Sequence, residues 1–193
     1  MNGTKVFEDS YCGVFAKQDE FLECLESIGR NSFWERKKSK NLRLVPITDD
    51  SRVAEELREK YAEEGLDEGI ITDTILNTGL LLKVRNQYYP VRCCAIKSIL
   101  DRAGISGAGL RRVEKNVYAR ILNDCLKVAK GEALLRISEG KVSAVLGGDC
   151  HDYAVLNMEQ IFMHSVEYFN SEFKGCTWLG GFYEHDMASA LWA

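Results

Sequence analysis

Two short segments concentrate side chains able to move protons or hold a metal. Gly147-Gly148-Asp149-Cys150-His151-Asp152-Tyr153 places two carboxylates, an imidazole and a thiol within four consecutive positions. Such a set binds a divalent cation or shares a proton. Glu184-His185-Asp186 offers similar chemistry near the other end of the chain. On a strand, Glu184 and Asp186 take one face and His185 the other. If the two segments meet across a sheet, Asp149, His151, Asp152, Tyr153, His185 and Asp186 form one functional site. The same residues also read as a Gly-Gly-Asp turn with surface histidines. Because their spacing matches no established ligand motif, no metal is assigned; a divalent metal is the one cofactor the pattern admits.

A different chemistry is written in Trp34-Glu35-Arg36-Lys37-Lys38-Ser39-Lys40-Asn41-Leu42-Arg43. Arg36, Lys37, Lys38, Lys40 and Arg43 put five cations into eight positions beside an aromatic ring. That combination grips a phosphate backbone and stacks a base, making nucleic acid a candidate partner. The alternative is a solvated loop. A third candidate is Ile99 to Val113, where Ala103-Gly104-Ile105-Ser106 precedes a basic stretch as in helix-turn-helix repressors, with Arg111, Arg112 and Lys115 directed at duplex DNA. Gly107 and Gly109 weigh against it, since each costs about 1 kcal/mol relative to alanine within a helix. Gly104-x-x-Gly107-x-Gly109 follows a helix and not a strand, so it is not a dinucleotide fingerprint. Serine-nucleophile elbows, P-loops and His-Glu-x-x-His motifs are absent from the sequence, which favours a non-enzymatic role.

The elements that must position these groups follow from hydrophobic period. Asp19–Ile28 reads as a helix with Phe21, Leu22, Leu25 and Ile28 inward, and Asn41–Ile47 as a short edge strand. A helix capped from Thr48 to Ser51 carries Val53, Leu57 and Tyr61 and ends at Gly65. Its outer face is acidic. Leu80–Val84 and Tyr88–Val91 are paired strands, followed by a helix over Cys94–Ala103. Leu110–Lys130 reads as one long helix with Leu110, Val113, Val117, Ile121, Cys125 and Val128 inward. Glu132–Ser138 and Lys141–Leu146 form a hairpin turning at Glu139-Gly140. Met158–Asn170 is a helix with Ile161, Phe162, Ser165 and Phe169 inward, and Gly175–Trp192 holds two strands around His185-Asp186. Helices and hairpins without a βαβα rhythm predict an α+β fold: an antiparallel sheet built from hairpins, with amphipathic helices packed on it.

Composition sets the outer bounds. The 193 residues, 46% apolar and 28% charged, suit one domain with its own core. A net charge of −4 argues against a generally cationic nucleic-acid binder while leaving room for a local patch. Seven cysteines without a Cys-x-x-Cys pair argue against a disulfide framework or zinc ribbon and for a reducing compartment. No signal-like or membrane-length apolar run occurs, so the expected location is cytoplasmic, with no membrane partner. The alternating strand that runs up to Ala193 predicts an N-terminal portion of a longer protein.

Tyr89-Pro90-Val91-Arg92, Leu100-Asp101-Arg102-Ala103-Gly104-Ile105, Ala133-Leu134-Leu135-Arg136, Gly140-Lys141-Val142-Ser143-Ala144-Val145, the segment Asp149 to Tyr153 and Leu156 occur in an order that resembles the phage- and plasmid-associated "domain of unknown function 932" family. In that family a strand pair leads into a short Asp/Tyr-containing loop and then a helix. The resemblance covers Tyr89 to Trp192, about half the chain, and leaves the basic run outside. It implies carriage on mobile elements and longer relatives, and it directs attention to Asp149–Tyr153 as the site. Three functions follow as expectations: a mobile-element accessory protein acting on nucleic acid or against host defence, with a protein partner also open; a metal-dependent enzyme using the Asp149–Asp152 loop; and a helix-turn-helix regulator.

Overall fold

Leu80–Val84 (β4) is apolar at every position except Lys83, because both of its faces are covered. In the computed structural model, which describes residues 5–107, 109–147 and 156–193, it is the central strand of an antiparallel sheet ordered β3-β4-β5, with β3 at Arg43–Pro46 and β5 at Gln87–Pro90. Leu80, Leu82 and Val84 enter the main core with helices α4 (Cys93–Ala103) and α5 (Lys115–Val128). Leu81 faces the opposite way, into a second cluster formed with α2 (Arg52–Glu63) and α3 (Gly69–Leu76).

The expected hairpin is present residue for residue as β6 (Glu132–Ser138) and β7 (Lys141–Leu146). Its turn holds Glu139 at φ 50° and Gly140 at φ 73°, the left-handed pair that a two-residue hairpin with the strands' own twist requires. A third strand, β2 (Ser32–Lys38), pairs with β6 and lies at the edge of this second sheet. Ala133, Leu135, Ile137 and Val145 point into the main core. Val91 forms an isolated parallel bridge with Val142, which joins the first sheet to the second.

The third sheet is ordered β1-β8-β9, comprising Gly13–Phe15, Trp178–Glu184 and Met187–Trp192. It packs on α1 (Gln18–Arg30) and α6 (Met158–Glu172) through Phe21, Leu25, Ile28 and Tyr183. A Cβ at Gly181 would meet the Phe21 ring at 2.6 Å, so only glycine lets this strand approach so closely.

The architecture is therefore α+β, built from antiparallel hairpins with amphipathic helices on them, although three small sheets replace the single one expected. Among the described residues, no helix is long and apolar enough to cross a membrane. Four further expectations are corrected. The basic run over Trp34–Lys38 is strand, not loop. Leu110–Lys130 is not one helix: a short 3-10 turn at Leu110–Arg112 precedes α5, and Val113 and Glu114 separate the two. The buried stripe of α5 is Tyr118, Ala119, Leu122 and Leu126, about one residue around the helix from the stripe expected, and Val128 is exposed. In α6, Val166 is buried while Ile161 is exposed.

Candidate functional site

The hairpin has one irregularity, and it lies beside a broad cleft. Arg136 pairs with Ala144 and Ile137 with Val142, so Ser143 is an extra residue that bulges from β7. A bulge bends a strand and re-aims the neighbouring side chains. Here Arg136, Ser143 and Ala144 all line a cleft of about 560 Å³. Trp34 stands directly opposite Arg136 in the strand register and on the same face of the sheet. The guanidinium lies 6.0 Å from the centre of the indole, a cation–π contact. An Arg136 N–H donates to the carbonyl of His185 at 3.2 Å, which ties the cleft wall to the β8–β9 turn.

The rest of the wall comes from five places in the chain. Helix α1 supplies Leu25 and Ile28, and the first residue of β2 supplies Ser32; α4 supplies Cys94, Lys97, Ser98 and Asp101; and the start of α6 supplies Asn157 and Met158. The β8–β9 turn supplies His185 and Asp186. Lys97, Asp101 and Asp186 are exposed, whereas Ser98 Oγ is engaged, accepting from the Val145 amide and donating to the Ala95 carbonyl. The Cys94 thiol donates to the Ser143 carbonyl at 3.4 Å, and burial pushes its pKa up to about 11, so it remains a thiol at neutral pH.

Behind the cleft is a buried ionic cluster that no sequence motif marks. Arg92, at the junction of β5 and α4, and Lys141, at the start of β7, are both 0% exposed. Asp9, from the N-terminal segment, lies between them. Its carboxylate accepts from Lys141 Nζ at 3.0 Å and from the Cys93 amide in the first turn of α4 at 2.7 Å, with Arg92 at 3.6 Å. Lys141 also pairs with Asp73 of α3. Arg92 donates to the Phe7 carbonyl at 2.8 Å, while burial pulls its pKa down. Two cations and two carboxylates thus fasten the N-terminal segment to α3, α4 and β7.

His185 borders both regions. Its Nε2 lies 2.7 Å from the Glu8 carbonyl and 2.9 Å from Arg92. A neutral imidazole satisfies one of those contacts as donor or the other as acceptor. A proton on the ring would add charge in a buried place beside a guanidinium. Burial first, and Arg92 second, hold its pKa down at about 4. The expectation of strand alternation through Glu184-His185-Asp186 is corrected accordingly. His185 and Asp186 form the turn itself, with His185 buried and Asp186 exposed. The surface-histidine alternative fails at His185 for the same reason.

The structure places the other expected residues as follows. Asp149, His151, Asp152 and Tyr153 lie outside the described residues. The residues that flank them, Leu146 on one side and Leu156 and Asn157 on the other, line the same cleft as Asp186. Among the described residues, no three His, Cys, Asp or Glu side chains converge as metal ligands. The basic run does not form one patch, because a strand sends its side chains alternately to two faces. Arg36 and Lys38 share the face of Trp34, while Lys37 turns away and donates to the Lys83 carbonyl at 3.1 Å. Burial lowers the pKa of Lys37, and Glu35 on the same side pairs with Arg85. Lys40 and Arg43 are exposed beyond the end of the strand.

Arg112 and Lys115 are exposed, and only the backbone of Arg111 is described. The connection from α4 to α5 runs from Gly104 to Glu114, far longer than the three- or four-residue turn of a helix-turn-helix. Helix α5 is also committed to the core. Asn123 accepts from the Leu44 amide and donates to the Leu44 carbonyl, each at 2.8 Å, and so closes the edge of β3 as another strand would. Family models, curated proteins and solved structures were all compared with this chain, and none matches.

Proposed function

We propose that this protein is an accessory factor of a phage, prophage or plasmid that binds single-stranded nucleic acid, and that the cleft beside Trp34 is its binding site. The carrying observation is the Trp34–Arg136 pair set in a concave wall. An aromatic plane next to a guanidinium stacks a base and neutralises its phosphate, and this works for any base because each has a π-face. Lys97 stands at the rim, and Arg36 and Lys38 continue along β2 on the same face. The mobile-element part of the reading rests on the resemblance of Tyr89–Trp192 described above. Cations on an edge strand such as β2 also discourage edge-to-edge pairing of sheets, so the basic run by itself is not evidence for a ligand. The cleft is what distinguishes the two roles.

The test is an anisotropy titration of a labelled oligodeoxythymidine at two salt concentrations. The expected result is salt-sensitive binding that Trp34→Ala weakens about tenfold and whose salt dependence Lys97→Glu reduces. Binding that is unchanged in both variants would remove the cleft from the account. A metal-dependent enzyme is the second reading, favoured by one observation: the residues flanking Asp149–Tyr153 and the carboxylate of Asp186 line the same cleft. It requires a stoichiometric divalent ion in protein purified without chelator, and metal-free protein would end it.

A further inference from the structure

We infer that the cleft accepts one nucleotide unit at the end of a strand and not an internal run of strand. This deepens the nucleic-acid reading and rests on it. The first ground is shape. The cleft is bounded by α1, β2, α4, the bulged hairpin, the start of α6 and the β8–β9 turn. A site walled on so many sides is concave, and a strand running through it would have to thread between these elements.

The second ground is the number of platforms. Proteins that track single strands set successive bases on successive aromatic rings. Trp34 is the one Phe, Tyr or Trp in this lining among the described residues. The third ground is charge. Arg136 and Lys97 face the cleft together with Asp101 and Asp186, so these four contribute no net charge. Arg136 keeps guanidinium N–H groups beyond the one it gives the His185 carbonyl, and a single phosphate takes these together with Lys97. A second phosphate in the cleft meets Asp101 or Asp186 and is repelled. Outside the cleft, Arg36 and Lys38 lie along β2 where the remainder of a strand would leave.

The chemistry named is a base with one phosphate, and it has two sources, a strand terminus or a free mononucleotide. A competition experiment separates them. A 5′-phosphorylated 12-mer of deoxythymidine with an internal fluorophore is bound to the full chain. It is then displaced with the unlabelled linear 12-mer, with circular single-stranded DNA, or with thymidine monophosphate. The expected result is that the linear strand competes at least tenfold better per molecule than the circle. Displacement by thymidine monophosphate at comparable concentration also supports a one-unit site and identifies the free nucleotide as a source. Equal competition by circle and line overturns the inference and leaves the single-strand reading intact. Failure of the probe to bind overturns both. Asp186→Asn, at an exposed turn position that folding tolerates, should narrow the linear-to-circular ratio by relaxing the repulsion. A ratio unmoved in that variant would remove the charge argument.

Discussion

Replacing His185 with glutamine should flatten the acid limb of the stability curve. An unfolded histidine takes up its proton near pH 6.5, whereas His185 in the fold resists protonation to about pH 4. Between those values the unfolded chain binds more protons than the folded one, so stability falls as pH falls. The contribution is complete above about pH 6.5 and is lost progressively toward pH 4. At about 1.4 kcal/mol per pH unit, the loss across the window is about 3 kcal/mol. For a chain of this size that corresponds to a fall of about 6 to 12 °C in Tm. The groups facing the ring are Arg92, Lys141 and Asp9, with the rings of Tyr11 and Tyr183 packed near it. All of them persist in the variant, so the difference between the two proteins isolates the imidazole. The assay is urea unfolding followed by circular dichroism in steps from pH 7.5 to pH 4.5. Wild type should lose stability more steeply than His185→Gln across that range. Parallel curves would refute the buried neutral imidazole and, with it, the ionic arrangement inferred around Arg92.

Two further perturbations probe the frame that holds the cleft. Asp9→Ala leaves Lys141 and Arg92 buried with Asp73 as the remaining carboxylate, and should cost about 3–5 kcal/mol. Adding Lys141→Met should recover part of that loss in chemical denaturation, and no recovery would contradict the pairing. Asn123→Ala removes both bonds to Leu44 and uncovers the edge of β3. A loss of about 1–3 kcal/mol is expected, with faster hydrogen exchange at the Leu44 amide; unchanged exchange there would contradict the bond.

The hairpin β6–β7 was legible because its strands alternate in step with a Glu-Gly turn, and α1 because Phe21, Leu25 and Ile28 recur at helical spacing. β2 was not legible. Its run of charges hides the strand period, and its burial comes from β6, about a hundred residues further along the chain. The start of α5 was not legible because Leu110 and Val113 extend an apolar rhythm through a 3-10 turn that ends at extended Val113, before Glu114 caps α5.

Part of the site was legible too. Trp34 was singled out for a nucleic-acid contact and His185-Asp186 for a separate proton or metal site, and the structure brings them to one cleft. Arg136, Lys97 and the ionic cluster were not. Arg92 and Arg136 do interrupt apolar stretches, which marks a charge in need of a partner. Their partners cannot be read from spacing: Lys141 and Asp9 are 132 positions apart. The fold alone makes them neighbours.

Photocrosslinking shows whether a bound strand reaches the cleft beside Trp34. A single-stranded oligonucleotide carrying 5-iodouracil at its terminal position is irradiated on the full chain, and the adduct is mapped by mass spectrometry. Crosslinking is expected at Trp34 and is expected to be abolished by Trp34→Ala. Adducts confined to the exposed face around Arg112 and Lys115, with Trp34 unmodified, would contradict binding in the cleft.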